Sequence, residues 1–352
     1  MARRAASDAT EQARRPGEVL ALADVPWLAE PRSRLVAARA EGRLPHALLL
    51  HGPEEGGQLP LALWLAQWLL CDQGGDRPCG HCASCELFLA GNHPDFHWVG
   101  METGASVIKV DQIRELADKL ALRSYRGASK VGLIEPADRM NISSNNALLK
   151  TLEEPPEDTI MLLAAARIDR LPATVLSRCQ RIRIPQPAPE RAVGWLQGQS
   201  SGEDWPALLG LAGGAPIKAL ALAGAGVGEL AAEMQQVLRA TGRGALDAFA
   251  LAASWSKDRP AERLAWLECW LESQIRSGYG LSDAVNNNRD NALPTGRAAL
   301  NIRSAFALLD RVRDARALLE GSLNTQLLFE DLLTAFGEAF AGRGVPRTGN
   351  TA

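Results

Sequence analysis

The sequence predicts a parallel α/β domain followed by an all-helical region. Up to about Ile184, short β-like apolar runs alternate with helical periods, the pattern of strands lying side by side with helices on the sheet faces. Pro185–Pro189 then forms a proline-rich hinge. From about Val227 onward apolar residues recur almost throughout at the three-and-four spacing of helices.

The elements follow in order. His46–Leu50 is a first strand, ending in His51-Gly52-Pro53. Leu59–Leu70 is a helix with Pro60 in the first turn, where a missing N–H costs nothing, and with Leu61, Leu65 and Trp68 at helical spacing. Asp111 is placed to cap a helix striped by Ile113, Leu116 and Leu120. Val131–Glu135 is a second strand. Asn141–Glu153 is a helix carrying Leu148, Leu149 and Leu152, and it must stop at Glu154 because Pro155-Pro156 follows. Ile160–Ala164 and Arg181–Ile184 are the third and fourth strands. Past the hinge, short helices are divided by Gly213-Gly214 and Pro216. Longer helices carry the stripes Leu264, Leu267, Leu271, Ile275, then Phe306, Leu309, Val312, then Leu327, Leu328, Asp331, Leu332. Asn286–Asn301 reads as an extended polar loop. The expected divisions are a disordered extension (1–22), a sheet domain (23–184) with a cysteine-bearing excursion (71–95), a small helical domain (185–226), a larger helical domain (227–345) and a tail (346–352).

The 352 residues are 46% hydrophobic and 22% charged, which excludes a largely disordered chain. A net charge of −3, from 38 Lys and Arg against 41 Asp and Glu, excludes a protein that coats nucleic acid by bulk charge. Contact with DNA is therefore expected to be local or shared with partner chains. The longest apolar run, Leu59–Leu70, is too short to cross a bilayer, and no apolar segment of a secretory signal follows the Arg-rich start. A cytoplasmic protein without membrane attachment is expected.

After the first strand comes Gly52-Pro53-Glu54-Glu55-Gly56-Gly57-Gln58-Leu59. Its glycines fit a phosphate-binding loop, G-x-x-x-x-G-K-[ST], at Gly52 and Gly57. The working residues do not: Gln58 replaces the cation for the phosphates, and Leu59 replaces the hydroxyl for Mg²⁺. The second strand ends in Glu135-Pro136, with proline in place of a catalytic carboxylate. The third runs into Ala164-Ala165-Ala166, where a polar residue would meet the terminal phosphate. Such a loop cannot neutralise a transferring phosphoryl group. The expectation is this architecture without ATP hydrolysis.

Four of the six cysteines, Cys71, Cys79, Cys82 and Cys85, follow the spacing C-x7-C-x2-C-x2-C. A C-x2-C turn brings two thiolates to one tetrahedral ion, and four sulfurs leave no open position for water. The expected cofactor is a structural Zn²⁺ that staples the excursion Gln73–His93, with His81 and His93 not needed as ligands. Cys269 lies in a helical stripe as a core thiol.

Leu176-Ser177-Arg178-Cys179 follows a loop and precedes the fourth strand. Taken alone, an arginine there is ordinarily solvated or loosely paired with a carboxylate. The set as a whole resembles the delta-prime subunits of the bacterial DNA polymerase III clamp loader, members of the AAA+ family. The resemblance runs from about Pro26 to Ala341. It rests on Gly42–Pro53, Cys79–Cys85, Gly91–Val99, Ile108–Leu120, Asn146–Thr159, Leu171–Gln180, Gly213–Leu222 and Leu323–Leu333, in order and at family-like spacing. The related gamma/tau motor subunits share the cysteine cluster, the LLKTLEEPP run and Ser-Arg-Cys. They differ in an intact phosphate-loop lysine, here Gln58, and in a sensor arginine, here Ile217. The cysteine spacing is one residue shorter than the family's usual C-x8-C.

The resemblance implies an AAA+ sheet domain with a zinc module, a helical lid and a C-terminal collar that joins a pentamer with motor and delta subunits. It implies that Arg178 is an arginine finger in trans, on ATP bound by the neighbouring subunit. It further implies that the sliding clamp and primer–template DNA are met through the assembly, with Asn141, Ser143 and Ser144 at the start of one helix as DNA-facing residues. The alternative is an active gamma/tau-type clamp-loader ATPase. A zinc-finger nucleic-acid adaptor is disfavoured, because Asp72, Asp76 and Glu86 outnumber Arg77 around the cysteines.

Overall fold

The computed structural model describes residues 15–19, 24–73, 78–102, 105–126, 129–242, 247–279, 301–319 and 324–341. Most of the expected extension, the tail and most of the polar loop at 286–301 lie outside these residues. The chain forms two compact units, Met1–Gln186 and Pro187–Ala352.

The first unit is built on a five-stranded sheet in the order β2-β3-β4-β1-β5, with every neighbouring pair parallel. Its strands are β1 (Ala47–His51), β2 (Phe96–Val99), β3 (Lys130–Ile134), β4 (Thr159–Ala165) and β5 (Gln180–Arg183). Helix α1 (Ala29–Ala40) precedes β1, and α2 (Gln58–Leu70), α3 (Ala83–Leu89), α4 (Val110–Ala121), α5 (Ile142–Glu153) and α6 (Ala173–Leu176) connect the strands. β3 and β4 are buried along their whole length, so they read as unbroken apolar runs rather than alternating ones. One layer of the core joins Leu49, Ile113, Leu116, Leu120, Leu148 and Leu163. β5 is an outer strand in which only Ile182 is buried, with Arg181 and Arg183 exposed.

Two expectations are corrected here. The sheet has a fifth strand, β2, which the pattern reading passed over. It is a short outer strand, half-buried at three of its four residues, so it has neither alternation nor a solid apolar run. Asp111 does not cap α4. The helix begins earlier, with Lys109 at the cap position, its N–H donating to Gln112 Oε1 at 2.9 Å, while Asp111 sits in the first turn 3.2 Å from Arg114 Nη1. The far end of α4 is closed by Lys130, 5% exposed, whose Nζ donates to the carbonyls of Leu120 (2.6 Å) and Leu122 (2.8 Å).

The second unit is helical: α7 (Pro189–Gln199), α8 (Trp205–Leu211), α9 (Pro216–Gly224), α10 (Val227–Gly242), α11 (Ala248–Trp255), α12 (Pro260–Gly278), α13 (Ile302–Leu319) and α14 (Thr325–Phe340). Proline opens α7, α9 and α12, and the carboxylates of Asp204 and Asp247 cap α8 and α11. One hydrophobic core runs from Ala192 to Phe340, across both helical stretches drawn from the sequence at 185–226 and 227–345. Trp255 meets Phe329 edge-on, with ring centroids 5.7 Å apart. Arg263 is buried beside them, 5.1 Å above the Trp255 ring, and its charge is answered by Asp258 (2.5 Å) and Glu233 (2.8 Å). Glu268 of α12 pairs with Arg313 and Arg316 of α13. The stripe Leu264, Leu267, Leu271, Ile275 is buried as expected, and so is Cys269. Of the other two stripes Leu309, Val312 and Leu332 are buried as expected, but Phe306 and Leu327 are exposed, and the buried faces take in Ala305 and Leu308, and Phe329, Leu333 and Phe336. No single described helix is long and apolar enough to cross a membrane.

Phe329→Ala removes the ring against Trp255 from a site with no exposed surface. It is expected to destabilise the second unit by about 3–5 kcal/mol. Near-ultraviolet circular dichroism of the tryptophans during denaturant unfolding reads the shift; an unchanged midpoint would show that this contact does not hold the core.

Candidate functional site

The C-terminal ends of β1 and β4 meet at the loop Gly52–Gly57. Gln58, at the position of the phosphate-binding lysine, turns inward and is 6% exposed. Its Nε2 donates to the carbonyls of Gly52 (2.9 Å) and Pro53 (2.7 Å) and lies 3.4 Å from Ala165 O at the end of β4. From the other side, Trp27 Nε1 donates to Gly56 O at 2.8 Å. The glycines are accounted for by packing. Gly57 has φ of 119°, and a Cβ there would stand 2.9 Å from Leu28 Cδ1, while one on Gly52 would stand 2.8 Å from Ile184 Cβ. Leu59 offers no oxygen, and Glu54 and Glu55 are exposed at the tip. Beyond β3, the Glu135 N–H donates to Val99 O at 2.9 Å. Asp138, which sequence reasoning missed, is 8% exposed; its carboxylate accepts from the Arg167 amide at 3.2 Å and lies 3.4 Å from that of Ala166. It ties the turn after β3 to the turn after β4.

The four cysteines come together where α2 ends and α3 begins. Cys71 follows the last residue of α2, Cys82 is the cap of α3, and Cys85 lies in its first turn. Their sulfurs all lie within 4.8 Å of one another, with Cys71–Cys79 at 3.7 Å and Cys71–Cys82 and Cys79–Cys85 at 3.9 Å. Tetrahedral coordination at about 2.3 Å per metal–sulfur bond requires sulfur–sulfur edges of about 3.8 Å. The donor set therefore fits a closed four-sulfur metal site. The amides of Cys82 and Cys85 point at the sulfurs of Cys79 (3.3 Å) and Cys82 (3.4 Å). Burial raises the Cys82 thiol, but the amide hydrogen bonds it accepts outweigh this and bring it to about 6.

His81 and His93 stand outside the set. His81 Nδ1 is 2.8 Å from Cys79 O. The Asp95 N–H donates to His93 Nδ1 (3.1 Å), so the ring proton sits on Nε2 and is donated to Ser84 Oγ (2.6 Å), whose hydroxyl donates to Leu70 O (2.6 Å). Burial holds His93 below its usual value, in keeping with a neutral ring. The Asp95 carboxylate, 3% exposed, accepts from Ser124 Oγ (3.1 Å), Tyr125 N (2.7 Å) and Arg126 N (3.0 Å). Arg126 in turn reaches Asp72 at 2.9 Å. The cysteine-bearing segment and the turn after α4 are thus one hydrogen-bonded unit.

Arg178 follows α6, apart from both of these sites in the chain. Its Nη1 donates to Thr174 O (2.8 Å) and lies 3.4 Å from Ser177 Oγ, while Nη2 pairs with Glu153 Oε1 at 2.5 Å. Within the chain it is therefore a carboxylate-paired arginine, with 34% of its side chain exposed. At the start of α5, Asn141 Oδ1 caps the helix by accepting from Ser144 N at 2.8 Å. Ser144 is fully buried, its hydroxyl 2.7 Å from Ile108 O and 2.9 Å from Asn141 Oδ1, which leaves Ser143 as the exposed hydroxyl of that turn.

Residues 29–188 match the family described as DNA polymerase III, delta subunit, and residues 231–338 match DNA polymerase III, delta subunit, C terminal. DNA polymerase III subunit delta-prime of Yersinia pestis is 34% identical over 331 residues, covering 90% of this chain and 96% of that one. The chain belongs to the DNA polymerase III delta-prime family. The delta-prime relative from Escherichia coli K12 is 33% identical over 313 residues, covering 88% and 93% of the two chains. The tau subunit of Bacillus subtilis is 34% identical over 158 residues, which are 45% of this chain and 28% of that one.

Cobalt(II), which reports its geometry by colour, is expected to bind one per chain with the intense visible bands of tetrahedral thiolate coordination. Cys85→Ser is expected to lose most of that intensity. Weak bands of octahedral type with all four cysteines intact would exclude a closed four-sulfur site.

Proposed function

We propose that this delta-prime chain is the non-hydrolysing member of a clamp loader, a stator that lends an arginine to the ATP site of its neighbour. The observation that carries the first half is the Gln58 carboxamide bonded to the carbonyls of Gly52 and Pro53. A motor needs a cation at this position and a hydroxyl at the next. This loop has a neutral amide committed to its own backbone and then a leucine. The gamma/tau-type reading has neither group to work with.

Arg178 supports the second half. It is half-exposed just after α6, in a Ser-Arg-Cys run, and a planar guanidinium suits charge developing on a transferring phosphate. Its partners would be gamma/tau motor subunits and a delta subunit. The helices of 185–226 would serve as the lid and those of 227–345 as the chain's share of the collar. The sliding clamp and primer–template DNA are reached through the assembly. The first turn of α5 is the DNA-facing element, with Ser143 outward and Asn141 and Ser144 holding its shape. Cys71, Cys79, Cys82 and Cys85 would hold Zn²⁺ in a structural role: the ion fixes the thiolates that join α2 to α3, and no open ligand position is left for chemistry. The compartment is the cytoplasm.

The purified chain alone is expected to release no phosphate from Mg²⁺-ATP, measured by continuous phosphate detection; release abolished by changing Gly57 would overturn the stator reading. In the reconstituted loader, Arg178→Ala is expected to slow hydrolysis at the one facing site by roughly 10³-fold. The fold should lose only about 1 kcal/mol, since a half-exposed ion pair and the hydrogen bond to Thr174 O are what go. Unchanged turnover and clamp loading would defeat the trans role.

A further inference from the structure

This inference rests on the reading of Arg178 as acting on a neighbour's nucleotide. We propose that Glu153 is the positioning residue for that arginine. A guanidinium carries five N–H donors in one rigid plane. In Arg178, Nη1 faces Thr174 O at 2.8 Å and Ser177 Oγ at 3.4 Å, and Nη2 forms an ion pair with Glu153 Oε1 at 2.5 Å. Among the described residues the hydrogen bonds of this guanidinium come from Nη1. Nε, on the same plane, is thus left to donate to an oxygen supplied from outside the chain.

The acceptors come from two separate elements. Thr174 and Ser177 belong to α6 and its final turn, whereas Glu153 is the last residue of α5. That end of α5 is itself fixed, by buried Leu148 and Leu152 on one side and by the Pro155-Pro156 stop on the other. A long side chain gripped from both directions is already ordered when a phosphate arrives, so the alignment required at the reacting centre does not have to be found at that moment. The pair is half-exposed, with 34% of the arginine and 50% of the glutamate side chain open, so it adds little to folding stability, and its removal separates orientation from folding.

The test is ATP turnover by the loader reconstituted with clamp and primed DNA, in which the other motor sites carry phosphate-loop lysine variants. Glu153→Ala is expected to lower kcat roughly tenfold, with little change in KM. Glu153→Gln keeps an acceptor oxygen and is expected to recover most of that loss. Glu153→Ala combined with Arg178→Ala should be no slower than Arg178→Ala alone. Thermal midpoint and assembly by gel filtration should match the parent chain. Faster turnover in Glu153→Ala would show that the glutamate restrains the arginine instead, and would overturn the proposal. So would unchanged turnover, a Glu153→Gln variant as slow as Glu153→Ala, or an additive loss in the double variant. If Arg178→Ala alone leaves turnover intact, the trans reading itself fails and takes this proposal with it.

Discussion

The Gln58 carboxamide, bonded back onto the loop that precedes it, is the contact on which the functional architecture turns. Buried carbonyls require donors, and leaving one unpaired costs about 1–3 kcal/mol. In a nucleotide-binding loop the ligand brings charge to a ring of outward-facing amides. Here Gly52, Pro53 and Gly56 present carbonyls instead, and the donors are Gln58 and Trp27 of the same chain. The loop braces β1 against β4 and against the turn at Trp27–Leu28, with these carbonyls paired inside the chain.

The cysteine cluster follows similar logic on a different scale. Four sulfurs gather within 4.8 Å of one another, and what surrounds them decides how far the order spreads. Ser84 links the last carbonyl of α2 to His93, and Asp95 carries the chain of hydrogen bonds on to Ser124–Arg126. Orienting partners of this kind fix ligands in other metal sites as well. A segment with few apolar side chains of its own thereby gains a scaffold that reaches the end of α4.

Much of this was legible in the residues. The alternation of apolar runs, the prolines after Glu154 and the glycines of the loop announced a parallel sheet with a glycine-rich loop between its first strand and the next helix. The C-x2-C spacing located the sulfurs. What escaped had physical reasons. β2 is too short and too exposed to show a period. Asp111 looked like a cap because caps are recognised by side-chain type, whereas a helix may begin at any residue whose backbone geometry suits, and here Lys109 does. Phe306 and Leu327 looked like core because periodicity finds a stripe but cannot say which of two neighbouring stripes faces inward. Asp95 and Asp138 were invisible because their partners lie about thirty residues away, beyond the reach of any local pattern.

The outer strand β5 has one further effect. An uncovered edge offers a row of unpaired amides and carbonyls to which another extended segment can add, the usual route to sheet-on-sheet aggregation. In Gln180–Arg183 the two arginines sit at alternate positions, so a copy of the same strand laid alongside would bring like charges together. Basic side chains at such a border disfavour that addition and keep the sheet finite.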